Sequence, residues 1–377
     1  MPTALYLLNI LLIISVSIYT ILILFHIISW LSIKLPVKQQ GPFKTSVSII
    51  IAARNEEKNI ASCIQSVLAQ DYPAALLEIV VCNDHSEDKT KETAENALKG
   101  VVISKCISLS DNLTGKKRAL ELSIKESAGE LIIITDADCT VEKGWISSIV
   151  RLYESSDYKM ICGPVTTANE KSFCEKFQGL EVPGLSILSG AGINAGIPLM
   201  CNGANLTYNR KAFEDVGGFS GIDSIPTGDD TLLLFKMNKH FPGKIGFVKS
   251  KDAIVYTPAQ SSWKSFLQQR IRWASKGLQS KNSLNSFVSL LVFITNFLLL
   301  IYPLSLFIYN NGLFVWLGCL GAKLVVDFLL LNCATVFFGK RSLLLLFPVG
   351  EIITVFYTSI IGLVANYSSY QWKGRKY

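Results

Sequence analysis

Residues 131–140 read LIIITDADCT: an isoleucine-rich apolar run that leads straight into two carboxylates, Asp136 and Asp138, with one alanine between them. A run of this length and composition suits a strand buried on both faces. Similar runs lie upstream at SVSIIIAA (46–53), LEIVVCND (77–84) and VVISKCISL (101–109). Helical stretches separate them: one from an N-cap at Asn55 to about Gln70, one over 87–99, and one from about Gly115 to Ser127. Strand and helix in alternation predict an α/β domain with a mostly parallel, doubly wound sheet. In such sheets ligands sit beyond the carboxyl ends of the strands.

Three of those ends are polar. The first strand runs into ARNEE, the second ends at Asn83 and Asp84, and the fourth at Asp136 and Asp138, which crowds acids and amides along one edge. In an extended chain side chains two apart share a side, so Asp136 and Asp138 are expected to face one way. Two like charges that close are costly unless a cation joins them. A hard divalent ion held by one or two carboxylates, with phosphate and water completing its shell, fits Mg²⁺ or Mn²⁺. Taken alone, the tripeptide better suits a helix cap or a turn, where aspartate is strongly favoured. The neighbouring strand ends favour the site.

Outside this region the chain is strongly apolar, with 50% hydrophobic residues and a mean hydropathy of +0.37. Residues 1–33 carry no formal charge, and the run from Leu5 to Ile33 is long enough to cross a hydrocarbon core of about 30 Å. A basic leader and a small-x-small cleavage site are both missing around it, so an uncleaved anchor is expected rather than a signal peptide. Residues 282–322 are again uncharged and are divided by an Asn-Asn-Gly turn at 310–312, and a further apolar piece covers about 343–367. The expected organisation is an anchor (1–34), a catalytic domain (45–260), an amphipathic interfacial helix (261–281) and a C-terminal membrane bundle of about three spans (283–367). Lys34, Lys38 and Lys44 follow the anchor, and Lys264, Arg270, Arg272, Lys276 and Lys281 precede the bundle, with no acid from Ala253 to Val326. The positive-inside rule then places the domain in the cytoplasm. Nine scattered cysteines without a C-x-x-C pair suit reduced thiols there. Three C-terminal spans would leave the basic tail WKGRKY outside, against the same rule, unless the piece containing Pro348 and Glu351 is re-entrant.

SIIIAARNEE, VVCNDHSEDKT, GKKRAL, TDADC, CNGANLTYNR, GGF, TGDDTLL and QQRIRW, in this order and between membrane segments, resemble the membrane-bound family 2 glycosyltransferases with a GT-A catalytic domain. The resemblance covers about residues 46–280. It implies a nucleotide-base pocket at the first strand end, including Ala53, Asn55 and Glu56, with Asp84 bonded to the uracil of a UDP-sugar and Lys116 near the nucleotide. The usual D-D-G-S pattern is NDHS here, which keeps one acid. Asp84 and Asp88 could otherwise serve as helix N-terminal acids, and Lys116 as a solvated helix lysine. The resemblance assigns Asp136 and Asp138 to the metal and the donor diphosphate. In TGDDTLL it makes Asp230 the catalytic base, leaving Asp229 on the acceptor side and as the better choice to cap the helix that follows. Gln269 and Arg272 of the Q-x-x-R-W motif approach the diphosphate and Trp273 forms an acceptor platform, whereas an interfacial basic helix would show a similar composition. Asn202, Gly203 and Asn205 shape the acceptor side.

The function so implied is an inverting, metal-dependent transfer of a sugar from a nucleotide sugar, first of all a UDP-sugar, to a lipid or lipid-linked acceptor at the cytoplasmic face of the cell membrane. The expected partners are that donor, a lipid or glycan acceptor and the bilayer, with no nucleic acid among them. A processive polysaccharide synthase is the alternative, although few polar residues line the spans from which a channel would be built. A non-catalytic membrane partner that keeps the fold is a third.

Overall fold

A long apolar helix, α1 (Pro2–Ser32), precedes an alternation of β1 (Val47–Ala53), α2 (Ile60–Leu68), β2 (Leu77–Asn83), α3 (Thr90–Ala97), β3 (Ser104–Ser108), α4 (Lys116–Glu126) and β4 (Leu131–Asp136). There follow β5 (Thr140–Val141), α5 (Trp145–Glu154), β6 (Met160–Cys162), β7 (Val165–Ala168), α6 (Phe173–Asn194), β8 (Leu206–Asn209), α7 (Arg210–Asp215), α8 (Thr231–His240), β9 (Ile245–Phe247) and β10 (Val255–Pro258). The chain continues through α9 (Trp263–Gln279), α10 (Ser283–Leu306), α11 (Leu313–Phe337) and α12 (Phe347–Val364). The computed structural model describes residues 2–35, 41–223, 228–279, 282–307, 312–364, 371–372 and 375–376. They fall into two units. One is Ser32–Asn169 with Ser189–Pro258, and the other is Met1–Leu31, Glu170–Leu188 and Ala259–Tyr377. The segment from Glu170 to Leu188 therefore separates from the rest of the expected 45–260 block.

In the first unit the sheet has seven strands in the order β3-β2-β1-β4-β8-β6-β9. β3, β2, β1 and β4 are parallel, as are β6 and β9, and β8 runs antiparallel to both of its neighbours. The mostly parallel α/β architecture is the one the sequence predicts. Alternate residues of the central strands, Val47, Ile49, Ile51 and Ala53 with Ile79, Val81, Leu131 and Ile133, face a core built with α2, α3 and α5, while Cys82 packs on the other side with Ala119 of α4. Ile49, Ile50 and Ile51 are all 0% exposed. Each such side chain contributes roughly 1.5–3 kcal/mol by leaving water, which is why a two-faced strand tolerates no polar break until its end.

Element starts differ from the sequence reading at two places. α2 begins at Ile60, because Asn55 sits in the left-handed region at φ 53° and cannot cap a helix there. Its side chain instead accepts from the Glu87 amide at 2.9 Å. α3 begins at Thr90, where Asp88 Oδ1 accepts from the Thr90 amide at 3.0 Å, the N-terminal role expected of Asp88.

The second unit contains four helices long and apolar enough to cross a membrane: Tyr6–Ser32, Ser283–Leu306, Leu313–Phe337 and Arg341–Val364. Leu12 and Val16 of α1 pack with Leu298, Leu299 and Tyr302 of α10 and Cys319 of α11. Buried among the spans, Lys323 Nζ donates to Asp327 Oδ2 at 2.6 Å and to Glu351, and the Tyr19 hydroxyl donates to Asp327 Oδ1 at 2.7 Å. Lys323 and Asp327 pair at i, i+4 on α11, and Glu351 of α12 joins them. Most of the Asn-Asn-Gly turn and of the basic tail, with Lys38, Lys281 and the side chains of Lys276 and Leu278, lie outside the described residues.

Candidate active site

The carboxyl ends of β1, β2 and β4 lie level, with Ala52 paired to Cys82 on one side and to Asp136 on the other. Just past β2, Asp84 is 3% exposed. Its amide donates to Ala53 O at 2.8 Å and its Oδ2 accepts from the Gly115 amide at 3.2 Å. Gly115, at φ 103°, is in a conformation that side-chain-bearing residues rarely adopt, and it opens α4. The next residue is Lys116. Its Nζ lies 2.5 Å from Asp136 Oδ1 and 3.4 Å from Asp229 Oδ2. Burial alone would lower the pKa of this ammonium, but Asp136, Asp229 and Asp230 together outweigh it and hold the lysine above its ordinary value.

Asp136 and Asp138 do meet, though not by strand alternation. β4 ends at Asp136, and the chain turns at once, with the Cys139 amide donating to Asp136 O at 3.0 Å. The turn and the paired acids are thus the same feature. The carboxylates and the Cys139 thiol lie within 4.8 Å of one another. Cys139 is buried, and burial together with Asp138 and Asp136 pushes its pKa well up, so the sulfur keeps its proton and donates to Asp138 Oδ1 at 3.4 Å. A thiol is a soft donor, and the two carboxylates beside it are the donors a hard divalent ion prefers. The residues present fit Mg²⁺ or Mn²⁺.

The second acid pair opens α8. Here the cap is Asp230, whose Oδ1 accepts from the Thr231 amide at 2.6 Å, while Asp229 turns to Lys116. This reverses the capping assignment expected from the sequence, because Lys116 attracts the residue nearer to it. Gly203 lies against the group: a β-carbon there would sit 3.5 Å from Asp230 Cβ, 3.5 Å from Lys116 Nζ and 3.6 Å from Asp229 Oδ2. Lys116, Asp136, Asp138, Gly203, Asp229 and Asp230 therefore all belong to one constellation of one unit, drawn from four separate stretches of chain.

Other expected residues do structural work. Asn205 is 1% exposed, accepts from Trp145 Nε1 at 3.0 Å and donates to Pro164 O and Ala253 O at 2.9 and 2.8 Å. All its amide groups face inward, so it braces the fold and offers nothing to an acceptor. Asn202 closes a turn by accepting from the Ala204 amide at 3.0 Å. Glu56 is buried, takes Asn59 Nδ2 at 2.7 Å and supplies the backbone oxygen that starts α2. Gln269, Arg272 and Trp273 lie on α9, in the other unit, and all three are partly exposed. Arg54 was not singled out by the sequence, although it lies within ARNEE. It is 9% exposed and donates to Asp84 O and His85 O at 2.9 and 2.7 Å, which pins the loop after β2.

With this geometry in hand, the comparison with known families is decisive: residues 48–217 match the model described as Glycosyl transferase family 2. This segment is a family 2 glycosyltransferase domain. The chain is 29% identical over 237 residues to the probable glycosyltransferase YdaM of Bacillus subtilis, covering 60% of this chain and 54% of that protein. It is 25% identical over 237 residues to a beta-monoglucosyldiacylglycerol synthase of Synechocystis, covering 62% and 48%. The match thus spans about half the length of these relatives. Among solved structures, the mannosyltransferase PcManGT of Pyrobaculum calidifontis, in complex with GDP-Man and Mn²⁺, aligns with a TM-score of 0.60 at 17% identity, over 96% of this chain and 99% of that one. The chain thus has a GT-A fold, preceded and followed in sequence by helices of membrane-spanning length and composition.

Proposed function

We propose that this glycosyltransferase moves a sugar from a nucleotide sugar, with UDP as the first nucleotide to test, onto the hydroxyl of a lipid or lipid-linked acceptor at the cytoplasmic membrane face, with inversion at the anomeric carbon. The observation that carries this reading is the constellation at the carboxyl edge of the sheet, where Asp136, Asp229 and Asp230 surround one half-buried lysine and Asp138 adjoins Asp136. Asp136 and Asp138 would hold a divalent ion, which when bound offsets the negative charge growing on the departing diphosphate. Lys116, held cationic by its acids, adds a positive charge at the same edge. Asp230 accepts the proton of the acceptor hydroxyl as its oxygen forms the new bond to the anomeric carbon and the bond to the diphosphate breaks. Its hydrogen bond from Thr231 fixes the carboxylate at the start of α8. Gln269 and Arg272 serve the diphosphate and Trp273 the acceptor, as in the family motif. In this reading Asp84 is the base-recognising acid of the family motif, and Ala53 and Asn55 belong to the same pocket.

A single transfer is favoured over processive synthesis because, among the described residues, the buried charged side chains of the spans, Lys323, Asp327 and Glu351, pair with one another instead of lining a path. The relative named a beta-monoglucosyldiacylglycerol synthase agrees with this choice, while a poly-beta-1,6-N-acetyl-D-glucosamine synthase of Staphylococcus epidermidis, 25% identical over 248 residues, keeps processive synthesis as the second reading. The deciding measurement is UDP release by the purified full-length protein with a panel of UDP-sugars, Mg²⁺ or Mn²⁺, and membrane lipids. Folded protein that neither binds nor turns over any nucleotide sugar under these conditions would leave the fold without the activity, as a non-catalytic membrane partner.

A further inference from the structure

Arg270 occupies one of the unspecified positions of the Gln-x-x-Arg-Trp stretch, yet it is 5% exposed. Counted from sequence as one of the basic flank residues, it is enclosed within the second unit. Its Nε donates to Glu181 Oε1 at 3.2 Å, its Nη2 pairs with Glu181 Oε2, and the Tyr357 hydroxyl donates to the same carboxylate. Its flat faces are covered by rings, with the guanidinium carbon 4.4 Å from the centroid of Phe266 and 4.1 Å from that of Trp273. Finally, Nη1 donates to Gln269 Oε1 at 2.5 Å.

Two chemical consequences follow from these contacts. A side-chain amide accepts only through its oxygen, so a glutamine whose oxygen is bound to a cation presents its NH₂ to whatever approaches. An NH₂ donor is what a diphosphate oxygen requires. The indole of Trp273 has one face against a guanidinium, which leaves the opposite face for the C–H surface of a sugar. We propose that Arg270, anchored by Glu181 of α6 and Tyr357 of α12, is a positioning residue that sets the amide orientation of Gln269 and the ring plane of Trp273, and thereby governs donor and acceptor binding together without touching either. The proposal rests on the transferase reading above and names the part of the chain that keeps its motif in order. A lysine cannot replace this arginine, because one ammonium cannot pair with both oxygens of Glu181, lie flat between two rings and reach Gln269 at once.

The test is a mutational cycle on the full-length protein, reading UDP affinity by calorimetry and acceptor KM and kcat by UDP release. Turnover by the unsubstituted protein is established first, since its absence overturns the transferase reading and not merely the role of Arg270. Arg270→Lys is expected to weaken UDP binding and raise acceptor KM by about tenfold each, with an unchanged melting temperature. In a Gln269→Ala/Trp273→Ala background the same substitution is expected to change either quantity less than about twofold, because the groups it acts through are gone. Equal losses in both backgrounds, or no loss in either, overturn the proposal. Should Arg270→Lys fail to fold, Glu181→Gln keeps the shape and removes the anchoring charge, and the same non-additivity decides.

Discussion

Lys116 and Lys323 are both buried among carboxylates, and the two surroundings differ in number and in access to water. The Lys116 side chain is 17% exposed, beside Asp136 at 36% and Asp229 at 12%, with Asp230 and Asp138 close by. That is a surplus of acid, partly open. The Lys323 side chain is 1% exposed, with Asp327 at 8% and Glu351 at 6%, and the Tyr19 hydroxyl takes one of the remaining oxygens. That set is closed and nearly balanced. An open surplus of negative charge is what a site must have if it is to take up a further cation with its anionic substrate, whereas a closed set can only hold helices together.

The comparison can be broken in several ways. Asp230→Asn preserves the hydrogen bond from Thr231 but removes the proton acceptor, so kcat is expected to fall about 10²- to 10⁴-fold with UDP affinity retained; turnover within a factor of about three of the parent removes Asp230 as the base. Lys323→Met leaves two buried acids without their cation and is expected to cost about 3–5 kcal/mol in thermal or denaturant unfolding. The neutral triple variant Lys323→Met/Asp327→Asn/Glu351→Gln is expected to recover most of that loss, and a bundle that stays destabilised argues for a role beyond bracing. Asp138→Ala is expected to weaken nucleotide-sugar binding at least about tenfold in the presence of Mg²⁺ or Mn²⁺. Chelation should erase the difference between variant and parent, and a difference that survives it points away from a metal role.

Smaller effects sharpen the picture. A β-carbon at Gly203 meets its neighbours at ordinary contact distance, so Gly203→Ala should alter stability by no more than about 0.5 kcal/mol and act only on acceptor KM. Because the pKa of Lys116 is raised, the lysine stays charged below the ordinary lysine value of about 10.4, and with the acids ionised its ion pairs are lost only above that value. A pH–rate profile whose alkaline limb lies below that value and disappears in Lys116→Arg would contradict the surroundings described.

Much of the sheet could be read from sequence because β1, β2 and β4 are continuous apolar runs that end abruptly in acids. β6, β8 and β9 could not, since three or four residues carry too little periodicity, and the antiparallel placement of β8 is decided by partners far along the chain. Within the site, Asp136 and Asp138 are legible because a local turn joins them. The pairing of Lys116 with Asp229 spans more than a hundred residues and leaves no local trace, which is why the capping acid was misassigned. Asn205 shows the reverse error, for an asparagine beside a glycine suggests a contact with ligand, yet its value here lies in three bonds made out of sight of solvent. Arg270 is misleading for a related reason, as a charge in a basic stretch reads as surface until its acid, 89 positions away, is known.

That separation along the chain has a consequence for synthesis. Glu181 and Phe177 leave the ribosome well before either of the residues that cover them, and Tyr357 follows Glu181 by 176 positions. At translation rates of roughly 5–20 residues per second the wait is about 9 to 35 s. Arg270 and Phe266 reach α6 about halfway through that interval, and the acid and aromatic face of α6 are fully covered only when the last span supplies Tyr357.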